Sequence, residues 1–302
     1  MVSSDFDQSQ TGRIMNHKDQ GFTAEQFQKL LNLIDKQETP ENVANMSDDL
    51  LITGNDIVLI KESQNTLQQN FKIKDLGELK YFLGIEFLRS DKGILMTQRK
   101  YTLELILEWG LAGLKPAITP LEQHMKYTTT KYDKHLKQEN DDPQLVDKCA
   151  YQRLVGRLLY LAMTRLNISY AVQTLSQYMH DPKQSHFEGA LHVVRYLKGN
   201  PGLGILLSSD KNDKINAFCD SDWASCAITR KSVTGYCVKL GKSLVSWKSK
   251  KQETVSRSTA EAEYRSMAST VSEIIWLVGL LKEMNMEAKL PEVSNVLWGV
   301  NE

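Results

Sequence analysis

Two acidic stretches carry the chemistry this chain has to offer. In Phe218-Cys219-Asp220-Ser221-Asp222-Trp223-Ala224, two aspartates stand at the end of an apolar run. In Ser258-Thr259-Ala260-Glu261-Ala262-Glu263-Tyr264, glutamates fall early in a helical pattern. A strand-end aspartate plus a helix glutamate is a way to hold a divalent metal for phosphodiester cleavage, because such ions take hard oxygen ligands. Asp220 is favoured over Asp222 because it directly ends the run Ile215–Cys219. Glu263 is favoured over Glu261 because Tyr264, Met267 and Ala268 then continue the helix face inward.

The surrounding pattern must position those acids, and it predicts an α+β fold. Residues 205–207 and 215–219 read as short strands. Ser232–Leu240 and Ser243–Trp247 form a hairpin around Gly241-Lys242. Helices are predicted over 258–270 and 272–285, and a last strand over 294–298. Upstream, residues 149–179 and 184–198 carry helical stripes that include Leu154, Leu158, Leu161, Leu175, Leu191 and Val194. Residues 80–88 and 93–97 read as strands joined at Ser90-Asp91-Lys92-Gly93, with helices over 57–71 and 98–109. The polar, lysine-rich stretch 116–147 gives the weakest signal. Residues 1–20 read as disordered, residues 23–36 as an amphipathic helix capped by Thr23, and residues 37–45 as a linker.

The bulk numbers narrow the classes. A chain of 302 residues is long enough for about two domains. Lysine plus arginine and aspartate plus glutamate both number 37, so any phosphate-binding surface must come from local clusters. Cys149, Cys219, Cys226 and Cys237 lack zinc-type spacing and do not form a small-domain disulfide pattern. His180, His186 and His192 recur every six residues, a period that does not share one helix face. With no signal peptide and no membrane-length apolar run, the chain is expected to be intracellular, cytoplasmic or nuclear, and not secreted.

Longer phrases resemble a known family. Asp48-Asp49-Leu50-Leu51-Ile52-Thr53-Gly54, Leu76-Gly77-Glu78-Leu79-Lys80-Tyr81-Phe82-Leu83-Gly84-Ile85-Glu86 and Tyr151-Gln152-Arg153-Leu154-Val155-Gly156-Arg157 are three of them. Asp220-Ser221-Asp222-Trp223-Ala224, Ser246-Trp247-Lys248-Ser249-Lys250-Lys251-Gln252 and Ser256-Arg257-Ser258-Thr259-Ala260-Glu261-Ala262-Glu263-Tyr264 are three more. Together they resemble the copia-type LTR retrotransposon Pol polyprotein, in the back half of its reverse transcriptase and its RNase H. The resemblance implies a partial reverse-transcriptase palm over 46–110 and a helical thumb or connection region over 111–204. It implies a truncated RNase H-like mixed sheet with helices over 205–302. Residues 1–45, with the helix at 23–36, resemble a remnant from the nucleocapsid side.

The resemblance also assigns roles. Asp48 and Asp49 match the polymerase metal-binding pair, although Met46 and Ser47 depart from the aromatic and apolar residues before it. The third palm aspartate has no counterpart upstream, so the pair is expected to be solvated turn residues. Asp220 and Glu263 match RNase H ligands for magnesium. Val300 stands where the family places its next aspartate, and the later acidic ligand is absent. RNA-directed DNA synthesis and hydrolysis of RNA in RNA/DNA hybrids are therefore the ancestral activities, and this copy is expected to be catalytically silent. Arg230, Lys231, Lys248, Lys250, Lys251 and Arg257 either contact the hybrid or form a solvated charged face. Trp223 and Trp247 either stack on bases or pack. A non-catalytic nucleic-acid-binding protein is the alternative. Neither a membrane nor a small-molecule substrate is inferred.

Overall fold

The computed structural model describes residues 50–53, 56–71, 74–122, 125–135, 142–286, 288–290 and 297–298. Asp48, Asp49 and the helix predicted at 23–36 lie outside the described residues. Helix α1 (Ile57–Asn70) starts where the Asp56 carboxylate accepts hydrogen bonds from the Val58 and Leu59 N–H groups.

The first sheet has the order β1-β2-β3-β4, all antiparallel, from Tyr81–Phe82, Ile85–Ser90, Gly93–Thr97 and Gly204–Ser208. The single strand predicted over 80–88 is two strands. Leu83 and Gly84 both adopt positive φ (47° and 78°), as a tight two-residue hairpin turn requires. Residues 205–207, read in sequence with the C-terminal strands, pair with β3 instead. Glycines open the way for that pairing. A Cβ on Gly204 would lie 2.0 Å from the Met96 carbonyl oxygen, and one on Gly93 2.0 Å from that of Leu207.

Helices α2 (Arg99–Glu108), α4 (Lys148–Leu161), α5 (Ser169–Ser176) and α6 (Gln184–Gly199) build the larger core; the short α3 spans Thr130–His135. Tyr151, Leu154, Val155 and Leu158 repeat at helical spacing and are fully buried against Ala190, Val193, Val194 and Leu197. The helical pattern over 149–179 breaks at 162–168. There Thr164 and Arg165 turn inward: the Thr164 hydroxyl donates to Gln98 Oε1 at 2.7 Å, and the Arg165 guanidinium donates to the Asn200 carbonyl at 2.8 Å. Continuing the helix would displace both contacts.

A buried charged knot fastens Thr128, Asp133 and Asp142 to the start of α6. The Lys183 ammonium donates to Asp133 and Asp142, each at 2.8 Å, and to the Thr128 hydroxyl at 3.1 Å. All three of its protons are thereby used. Burial disfavours its charge, but the two carboxylates outweigh that and hold the ammonium above the ordinary lysine range. His186, one turn into α6, is fully buried and stacks on Tyr178 at 4.0 Å. Its Nδ1 accepts the Lys183 backbone N–H at 2.9 Å.

The second sheet has the order β7-β6-β5-β8, from Ser243–Lys251, Val233–Leu240, Ile215–Asp222 and Leu297–Trp298. β8 runs parallel to β5; the other neighbours are antiparallel. One long helix, α7 (Thr259–Glu283), replaces the two predicted over 258–270 and 272–285. The Thr270 and Ser272 hydroxyls bond back to the carbonyls of Ser266 and Ala268, so these residues stay within the helix. Ile215, Ala217, Cys219, Tyr236 and Val238 pack against Ile274 and Leu277 of α7. The opposite face of this sheet meets the helices. Trp247 Nε1 donates to the Ala162 carbonyl at 3.2 Å and the Lys251 ammonium to Gln177 Oε1 at 2.6 Å.

Candidate functional site

β5 alternates strictly. Ile215, Ala217, Cys219 and Ser221 face α7, so Asp220 and Asp222 share the other face and are exposed. The strand is long enough to carry both acids because Asp220 pairs with Gly235 and Asp222 with Val233. Beyond Asp222 the chain turns sharply. Ala224 has φ 51°, and its N–H donates to the buried Ser232 hydroxyl at 3.1 Å.

Glu263 comes from the first turns of α7. The helix begins at Ser258, whose hydroxyl accepts the Glu261 N–H at 3.2 Å. Glu261 is committed elsewhere: its carboxylate accepts from Arg265 at 2.8 Å and from the Arg257 N–H at 2.8 Å. That leaves Glu263 as the acid nearest the end of β5. The predicted reason for preferring it needs correction, since Tyr264 points outward. The inward face is Ala262, Ser266 and Thr270. The Ser266 hydroxyl ties this face to the acid strand, donating to the Asp220 carbonyl at 2.8 Å.

The three acids sense one another. Burial, and after it the Asp220 charge, raise the Glu263 carboxyl; a hydrogen bond from the Ser221 backbone opposes this. Partial desolvation by the surrounding chain and then the Asp220 charge raise Asp222 as well, although its side chain keeps an open edge to solvent. Asp222 in turn helps burial to raise the phenol of Tyr170, on α5. No local pattern in the sequence marks Tyr170 as a neighbour of the acid strand, because the helix that carries it lies some fifty positions away. Gln252, which bridges β5, β6 and α7, likewise carries no local signal of that role.

The predicted basic residues do not form one patch. Cross-strand register places Lys248 and Lys250 on the α7 face with Tyr236 and Thr234. Lys251 lies on the acid face and is held by Gln177. Arg230 and Lys231 sit in the loop after β5, closed by the Arg230 N–H to the Cys226 carbonyl at 2.8 Å. Arg257 precedes α7. Trp223 is half-exposed, with Nε1 on the Ser256 carbonyl at 3.1 Å, whereas Trp247 packs between the sheet and the helices.

Gathered carboxylates of this kind suit a hard cation, which would relieve their mutual repulsion. They suit a pair of cations less well. Among the described residues no three His, Cys, Asp or Glu side chains converge to hold a metal ion. Among the described residues, too, no helix is long and apolar enough to cross a membrane.

Residues 18–123 match the family of reverse transcriptase (RNA-dependent DNA polymerase). The chain is 42% identical over 246 residues to the retrovirus-related Pol polyprotein from transposon RE2 of Arabidopsis thaliana, covering 82% of this chain and 16% of that one. It is 31% identical over 245 residues to the Pol polyprotein from transposon TNT 1-94 of Nicotiana tabacum, covering 80% of this chain and 18% of that one. It is 38% identical over 231 residues to the uncharacterized mitochondrial protein AtMg00810 of Arabidopsis thaliana, covering 76% of this chain and 91% of that one. The chain thus spans about a sixth of the length of the RE2 polyprotein. No solved structure gives a significant match. On these similarities the chain belongs to the copia-type retrotransposon Pol polyprotein family.

Proposed function

We propose that the C-terminal sheet and α7 are an RNase H-like module that contacts RNA/DNA hybrid without hydrolysing it. The observation that supports this reading is that Glu263 feels the Asp220 charge at the end of β5, where the Ser266 hydroxyl ties α7 to the Asp220 carbonyl at 2.8 Å. Those two carboxylates are the ones that would hold a divalent cation, with Asp222 close by. Magnesium keeps near-octahedral oxygen coordination, and two donors bind it weakly. Val300 offers no oxygen at the position where the resemblance expects the next ligand. No hydrolytic step is assigned to the site, and the ancestral hydrolysis is read as lost. Asp48 and Asp49 are read as the remnant of a polymerase metal pair.

Contact with the hybrid would rest on separate basic points, Lys248 and Lys250 on β7, Arg230 and Lys231 in the loop after β5 and Arg257 before α7, which would bind phosphate without reading sequence. Lys251 contributes less, since Gln177 already holds it. Fluorescence anisotropy with a labelled RNA/DNA hybrid tests this. Binding at low salt should weaken steeply as salt rises. Replacing both Lys248 and Lys250 by alanine should flatten the log–log salt slope by about 2. Absence of binding at low salt, or binding indifferent to salt, rejects the reading.

A further inference from the structure

Gln252 follows directly on β7, and its backbone N–H donates to the Ser232 carbonyl at 2.8 Å. Its side-chain amide nitrogen lies 3.0 Å from the Ala262 carbonyl, 3.1 Å from the Thr234 hydroxyl and 3.4 Å from the Ser221 hydroxyl. Its amide oxygen accepts the Ser256 hydroxyl at 3.0 Å. One side chain therefore joins β5, β6, the first turn of α7 and the loop before that helix.

The identity of those neighbours gives the arrangement its meaning. Ser221 stands between Asp220 and Asp222. Ala262 immediately precedes Glu263. Gln252 touches the chain beside all three acids and none of the acids themselves. We infer that Gln252 is a positioning residue that sets the spacing between the acid strand and Glu263; this rests on the reading that Asp220 and Glu263 face one cation.

The side-chain chemistry is specific. The site asks for a donor toward a carbonyl and an acceptor toward a hydroxyl, which an amide supplies together. A carboxylate here would face the Ala262 carbonyl with no proton and add a fourth negative charge. An aliphatic side chain would leave the Ser256 hydroxyl and the Ala262 carbonyl without these partners. Two other bonds join α7 to the acid strand: the Ser266 hydroxyl donates to the Asp220 carbonyl one turn further along, and the Ser221 backbone N–H donates to the Glu263 carboxylate. With Gln252 removed, only those bonds set the distance from the start of α7 to the acid strand.

The test compares the full chain with Gln252→Ala, Gln252→Met and a control, Tyr236→Phe. The control removes the bond from the Tyr236 hydroxyl to Glu273 at 3.2 Å, also between the sheet and α7 but away from the acids. Two readouts are taken: Mn2+ affinity by electron paramagnetic resonance of the free ion, and hydrogen exchange of the Ser221 amide without metal. Both Gln252 variants should weaken Mn2+ by about tenfold or more, as loss of an outer-shell partner does. Both should also speed Ser221 exchange by roughly tenfold. Tyr236→Phe should change neither by more than about twofold. Should the alanine variant fail to fold, the methionine variant, of similar length, decides. Unchanged Mn2+ affinity and exchange in the Gln252 variants, or equal losses in the control, overturn the inference. No Mn2+ binding by the unaltered chain, with Ser221 exchange accelerated only in the Gln252 variants, rejects the cation reading and leaves the positioning role standing.

Discussion

Replacing Lys183 by alanine is expected to cost about 3–5 kcal/mol of stability at neutral pH. The ammonium is almost fully buried, and its removal leaves Asp133 and Asp142 facing each other without a cation. Its own attraction is not the whole cost. Most of the loss comes from two carboxylates stripped of water and of their partner. A loss of this size is a large share of the roughly 5–15 kcal/mol that typically holds a domain together. Urea denaturation of the variant measures it. Adding Asp133→Asn to Lys183→Ala should recover part of the loss, because one of the stranded charges disappears. A loss under about 1 kcal/mol would mean the knot is far wetter than its burial indicates.

The same knot sets the second large effect, a loss of stability on mild acidification. Burial, and then the neighbouring Lys183 charge, push the His186 imidazole down from 6.5 to about 4. The folded protein therefore keeps His186 neutral where the unfolded chain takes up a proton. Stability is full above the unfolded value and falls as pH drops from about 6.5 toward about 4, by about 3 kcal/mol for this one group. Asp142 acts in the same direction at lower pH. Lys183 and Ser185 overcome the effect of its burial and hold its carboxyl below the usual range, so its contribution is lost as that carboxyl protonates. Denaturation curves at stepped pH should show the decline. His186→Phe keeps an aromatic ring against Tyr178 and should be less stable at pH 7, but its stability should be flat across the same window. An unchanged slope in that variant would assign the acid sensitivity elsewhere.

These two effects also show what local sequence could and could not reveal. Lys183 meets Asp133 and Asp142 across fifty and forty-one positions. Neither partner is marked by a periodicity, and the stretch around them is polar, so 116–147 gave the weakest signal. Asp133 and Asp142 are placed by long-range ion pairing, and Tyr127 by its burial, which no short window contains. The hairpin of β6 and β7 was readable because Gly241 supplies the positive φ at its turn, 57°, and the flanking residues alternate. The placement of β4 was not, since strand pairing depends on which edge is free and how closely two backbones approach. Within the site, the strand alternation that puts Asp220 and Asp222 on one face was legible at β5. The choice of Glu263 over Glu261 has a better reason in the structure than in the pattern: Arg265 and the Arg257 N–H occupy Glu261. The bridging role of Gln252 had no local signal, because it depends on three elements meeting at one side chain.

Whether this site is silent turns on how many divalent ions the end of β5 can hold. Equilibrium dialysis with Mn2+, on the full chain and on Asp220→Asn and Glu263→Gln, measures this directly. The expected result is at most one weakly held ion per chain, lost in both variants, with no magnesium-dependent cleavage of RNA/DNA hybrid above the Asp220→Asn background. Two firmly held ions, or hybrid cleavage that Asp220→Asn abolishes, would contradict it.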